Sequence, residues 1–194
     1  MTEEYWESAV LAALEAERAL PLGNVREASN RLLSPVSRSM SDAASNLLAK
    51  AVRALESGDD AHARRFVERA LALPFDEHEE LLPGWWEAHM FIYTSVAERL
   101  ETCAAGDTSW LDVAEVVLDG ADPRAAAALR ESMPSLAEDH DLSPSELRRC
   151  RRLAGDLRPD YWNEHVPDDP TERVDVVMGV VALVLAYVSW PEMV

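Results

Sequence analysis

The sequence predicts an all-α protein: a single compact helical domain over residues 1–194, of about eight or nine helices, with a buried C-terminal helix. Three observations predict it. Apolar residues recur three or four apart through most of the chain, the spacing that lines one face of a helix. Helix start signals are frequent, among them Asp122-Pro123, Asp169-Pro170 and Ser143-Pro144-Ser145-Glu146. Finally, the valine-rich run near the C-terminus has no second strand-like run to pair with, so as a strand it would leave its backbone groups unsatisfied.

The elements follow in order. Thr2 caps a first helix, with Glu3 and Glu4 favouring its dipole and Trp6, Val10, Ala13 and Leu14 on one face until Pro21. A short helix is expected over Asn24–Leu33, stopped by Ser34-Pro35. Ser39 or Ser41 caps the next, which carries Leu47, Leu48, Ala51, Val52 and Leu55 to Gly58; Asp59 restarts a helix with Phe66, Val67, Ala70, Leu71 and Leu73, closed by Pro74. After Pro83-Gly84, the spacing of Trp86, Met90, Tyr93, Ala97 and Leu100 puts them on one face of a long helix. Helices are predicted over Ser109–Asp119 and from Asp122-Pro123, an N-cap with proline at the first helical position. Ser143 and Glu146 form a capping box, the strongest start signal in the chain. Arg158–Pro170 reads as irregular. The last element, residues 171–190, reads as an apolar core helix. Its uninterrupted apolar run, Val176–Val188, falls well short of the roughly 20 residues that span a bilayer.

Composition narrows function mainly by exclusion. With 48% apolar and 28% charged residues the chain is a folded protein. Acidic residues outnumber basic ones 36 to 18, a formal charge of −18. Such a surface repels nucleic-acid backbones and anionic membranes, so neither is an expected partner. Arg148, Arg149, Arg151 and Arg152 are a local exception and read as a solvated helix face. Lys50 is the sole lysine, which fits either a GC-rich coding sequence or adaptation to high salt. Cys103 and Cys150 do not make a disulfide framework, and the acidic start of the chain lacks a leader pattern; a cytoplasmic location is the expectation.

One repeat-like signal is present. Gly23-Asn24 followed by Ala28 recurs as Gly58-Asp59 followed by Ala63. With Ala51 at the crossing of the first helix and Ala70-Leu71-Ala72-Leu73-Pro74 ending the second, residues 44–74 resemble a tetratricopeptide repeat. Leu47 stands where that family usually has a large aromatic, Ala54 where it usually has tyrosine, and Pro74 comes one residue early. The resemblance covers this helical hairpin alone and implies a protein-binding scaffold.

Catalytic signatures are missing: the sequence has no G-x-S-x-G, no phosphate-binding glycine loop, no dinucleotide fingerprint and no HExxH. His62 follows Asp59 by three, which puts both on one helix face as a metal would use them, His78 lies in an acidic run, His140 is flanked by Asp139 and Asp141, and His165 follows Glu164. No Glu-x-x-His motif accompanies them, and an enzyme or metal protein built from these and His89 is a third reading. No catalytic, cofactor or metal residue is assigned, and no cofactor is expected. The candidate partner-binding residues are Trp85, Trp86 and Trp162, since exposed aromatics mark binding hot spots; the competing reading makes them core anchors at helix junctions. The expected function is a cytoplasmic helical module that binds a protein partner, with no evident catalytic activity. The alternative is an acidic neutralising protein, of immunity type or a nucleic-acid mimic, that binds a basic partner.

Overall fold

The computed structural model describes residues 35–73, 82–102, 109–139, 142–158 and 161–189. The helices expected before Pro35, and His78, Cys103 and His140, lie outside the described residues. Within them the protein is all-α, with eight helices and no strand: α1 (Pro35–Glu56), α2 (Asp60–Leu71), α3 (Pro83–Thr102), α4 (Ser109–Asp119), α5 (Pro123–Asp139), α6 (Pro144–Ala154), α7 (Tyr161–Glu164) and α8 (Pro170–Val188). The contacts group into two compact units, one ending at Glu87 and the other beginning at Ala88, inside α3.

In the first unit α1 and α2 form a hairpin. Its turn needs Gly58, whose φ of 78° is a left-handed conformation that costs glycine nothing. The Gly58 and Asp59 amides cap the end of α1 by donating to the Leu55 and Ala54 carbonyls. Asp59 then caps α2 by accepting from the His62 amide at 3.1 Å, and its other oxygen lies 2.6 Å from His62 Nδ1. The His62 N–H is the main cause of an Asp59 carboxyl held below its ordinary range. Small residues let the helices approach closely: Ala44, Leu48 and Ala51 of α1 and Ala63, Val67 and Ala70 of α2 are fully buried. Gly84 abuts the end of α2, because a Cβ there would sit 2.3 Å from the Ala70 carbonyl oxygen.

One boundary and one helix face differ from expectation. α1 starts at Pro35 rather than at Ser39 or Ser41. A proline at the first helical position has φ already set for a helix, so Pro35 opens α1 and the serines fall within it. The buried face of α3 is also rotated from the one expected. Trp85, Ala88, Ile92, Tyr93, Val96 and Ala97 are buried, while Trp86, Met90 and Leu100 are half-buried.

In the second unit, α5 packs on α6, α7 and α8, and α4 packs on α6 and α8. Helix α8 is buried over most of its circumference by Val174, Val176, Val177, Val180, Val181, Leu183, Val184 and Tyr187, leaving its first turn, a narrow stripe of Asp175, Ala182 and Ala186, and Val188 at its end exposed. The α5–α8 crossing is close: a Cβ at Gly179 would lie 2.7 Å from that of Ala125. At the far end of α8 the Tyr187 hydroxyl donates to the Trp110 carbonyl at 3.0 Å. Asp122 caps α5 by accepting from the Arg124 and Ala125 amides. Pro134 lies inside α5 and has no N–H to offer the carbonyl of Arg130, one turn earlier. The stretch after Arg158, expected to be irregular, contains the single turn α7.

The capping box of α6 forms as predicted. The Ser143 amide donates to Glu146 Oε2 at 2.7 Å and the Glu146 amide to Ser143 Oγ at 3.4 Å. The Ser143 hydroxyl does most to hold the buried Glu146 carboxyl below its ordinary value, with the Ser143 amide, Trp110 and Arg149 adding and burial opposing. The Trp110 indole N–H is near enough to stabilise that charge but makes no well-aligned hydrogen bond. A lowered carboxyl contributes stability that is present above the unfolded-state value and lost as pH falls through the folded one. Ser143→Ala is therefore expected to lower stability by about 1 kcal/mol at neutral pH. The deficit should shrink on acidification, as urea unfolding across a pH series will show.

Candidate functional site

The candidate site lies where α4, α5 and α6 meet, and it is built from charges on helices of regular geometry. Arg149 and Arg152 are three apart on α6, so both reach α4. Arg149 donates to Asp112 at 2.6 Å and to Glu115 at 3.1 Å, and Arg152 to Glu115 at 3.2 Å. Partial burial works against the charge on Arg149, and the two carboxylates more than offset it. This quartet is neutral in sum. Arg148 and Arg151 of the same run are exposed, as the solvated-face reading expects.

Beside the quartet is a cleft of ≈ 420 Å³, open along one side and lined by Glu115, Leu118 and Asp119 of α4, Ala121, Pro123, Ala126 and Arg130 of the turn and α5, and Arg152 and Leu153 of α6. Its lining is polar and apolar in about equal measure. Its walls carry two carboxylates and two guanidiniums. Glu115 and Arg152 are already paired; Asp119 and Arg130 have no ion-pair or hydrogen-bond partner for their side chains among the described residues. Asp119 stands in the last turn of α4, which carries no basic residue. There the negative end of the helix dipole opposes it.

The sequence-derived candidates are placed elsewhere. Trp85 and Trp162 are each 2% exposed, so neither offers the aromatic surface expected of a partner contact; both act as core anchors. The Trp162 amide donates to Glu131 Oε2 at 2.7 Å and its ring lies 6.3 Å, centroid to centroid, from that of His89. Trp86 is half-buried. His165 bonds the Tyr161 carbonyl at 2.8 Å and stacks on the Tyr161 ring instead of pairing with Glu164. Asp119 and Arg130 were not singled out from the sequence. A signal existed for Asp119, an acid at the C-terminus of a helix whose limits were predicted; none existed for Arg130.

Among the described residues no three His, Cys, Asp or Glu side chains converge as a metal site, and no helix is long and apolar enough to cross a membrane. Cys150 is buried, and burial pushes its thiol up to about 11. A raised thiol value protects the folded state below the free-thiol value, and the protection is lost as pH rises through the folded one. Iodoacetamide is expected to leave the Cys150 peptide unmodified in the native protein at mildly alkaline pH and to modify it fully after denaturation, as read by mass spectrometry. No family model matches the chain, and no curated protein or solved structure matches it.

Proposed function

We propose that this chain is a helical protein-interaction module and that the α4–α5–α6 cleft is its docking site. The observation that carries this reading is the cleft itself, open along one side, with apolar and polar lining in about equal measure and two exposed charges of opposite sign that have no side-chain partner among the described residues. The buried, reduced thiol of Cys150 is consistent with a reducing compartment, and the proposal places the module in the cytoplasm. A charge neutraliser would gather its carboxylates for a basic partner. Here Asp112, Glu115, Glu164 and Glu172 each face an arginine of their own unit, which supports a docking module instead.

The test places a photo-crosslinking residue at Ala121 in the full chain and remakes each captured protein in pure form. Such a partner is expected to bind the wild type and to lose at least about tenfold in affinity on Ala121→Trp, which fills the cleft. Circular dichroism should show the fold unchanged. Captured partners that bind Ala121→Trp as well as they bind the wild type would overturn the assignment.

A further inference from the structure

We propose that the cleft recognises a segment of a partner protein carrying one basic and one acidic side chain, the cation received by Asp119 and the carboxylate by Arg130. This rests on the reading of the cleft as a docking site and adds the chemistry of its occupant. The charge census comes first. Of the four charges that line the cleft, Glu115 and Arg152 pair with each other, and Arg149 adds a second contact to Glu115. Asp119 and Arg130 remain, of opposite sign, and they do not pair with each other. An occupant with a single charge would answer one of them and leave the other beside a newly covered wall, which is costly. An occupant with both signs answers both and is selected against partners that carry one.

The position of Asp119 gives a second, independent reason. An acid in the last turn of a helix is opposed by the dipole, and this turn supplies no base to offset it. Asp119 is exposed and has no side-chain partner among the described residues, so its carboxylate is open to a cation from outside the chain. The dipole that opposes Asp119 also deepens the negative potential there and draws a cation to it. Ala121, Pro123 and Leu153 supply the apolar surface along which long charged side chains lay their stems. A free small molecule is a poorer fit, because such ligands are ordinarily buried over about 70–90% of their surface and this cleft is open along one side. A chain segment that continues over the rim meets no such limit.

Selection from a phage-displayed random-peptide library on the full-length protein tests this. The wild type is expected to enrich peptides with one basic and one acidic residue beside apolar ones. Binding of these peptides should fall about tenfold on Asp119→Asn and again on Arg130→Gln. Asp119→Asn should also raise the Tm of the free protein by about 1–3 °C. A lowered Tm would overturn the claim that Asp119 is unanswered in the free chain. Enriched peptides of one sign, insensitive to both substitutions but blocked by Ala121→Trp, would overturn this inference and leave the docking reading standing. Enriched peptides that Ala121→Trp does not block would overturn both.

Discussion

Replacing Trp162 by alanine is expected to destabilise the protein by about 3–5 kcal/mol, the usual cost of truncating a buried tryptophan. Helix α7 is a single turn, Tyr161–Glu164, too short to persist without tertiary support. What holds it is the buried indole, together with the Trp162 amide bonded to Glu131 on α5. Truncation removes the indole and leaves a cavity beside His89. The loss corresponds to roughly 10 °C in Tm for a chain of this size. Urea unfolding followed by far-ultraviolet circular dichroism measures it. A surface hot spot would behave in the opposite way: its truncation would leave stability within about 0.5 kcal/mol and reduce binding instead. The same variant therefore separates the two readings of this residue.

Trp110→Ala is expected to cost at least as much. Its side chain is the largest of those fully buried among the described residues, at 0% exposure, and it stands in the first turn of α4 where α4, α6 and α8 converge. Its carbonyl receives the Tyr187 hydroxyl from α8, and its indole lies beside the capping-box carboxylate of α6. A loss of about 3–5 kcal/mol follows from volume alone. Tyr187→Phe, which deletes one hydrogen bond and little volume, is expected to cost about 1 kcal/mol. Because the two residues touch, the double variant should depart from additivity by more than about 0.5 kcal/mol. Equilibrium denaturation of the three variants closes the cycle.

What was legible in advance tracks where the physics is local. Helix α6 and the starts of α2, α5 and α8 follow from side chains that bond backbone amides two or three residues away, so their limits can be read from short strings such as Ser143–Glu146. The last helix was legible for a topological reason, since no other run could pair with it as a strand. Facing direction was less so. On α3 both Trp85 and Trp86 are large and apolar, and their neighbours in space decide which one is buried. Trp162 misled for a related reason: prolines and a Tyr-Trp pair look like an exposed loop until α5 closes over the indole. The cleft was invisible because it is assembled from residues up to 38 positions apart, Glu115 to Leu153, none belonging to a motif.

Pro134 has a consequence for the motions of α5. With no hydrogen to give the Arg130 carbonyl, it removes one rung from the middle of a 17-residue helix and weakens the mechanical coupling between the two halves. Amide protons should exchange with solvent deuterium faster beyond the proline than along Ala125–Met133, so the two halves breathe on separate timescales. Arg130 sits at that seam. The wall of the cleft it forms belongs to the half that Ala125 clamps against Gly179, so it keeps its shape while the turns beyond Pro134 move.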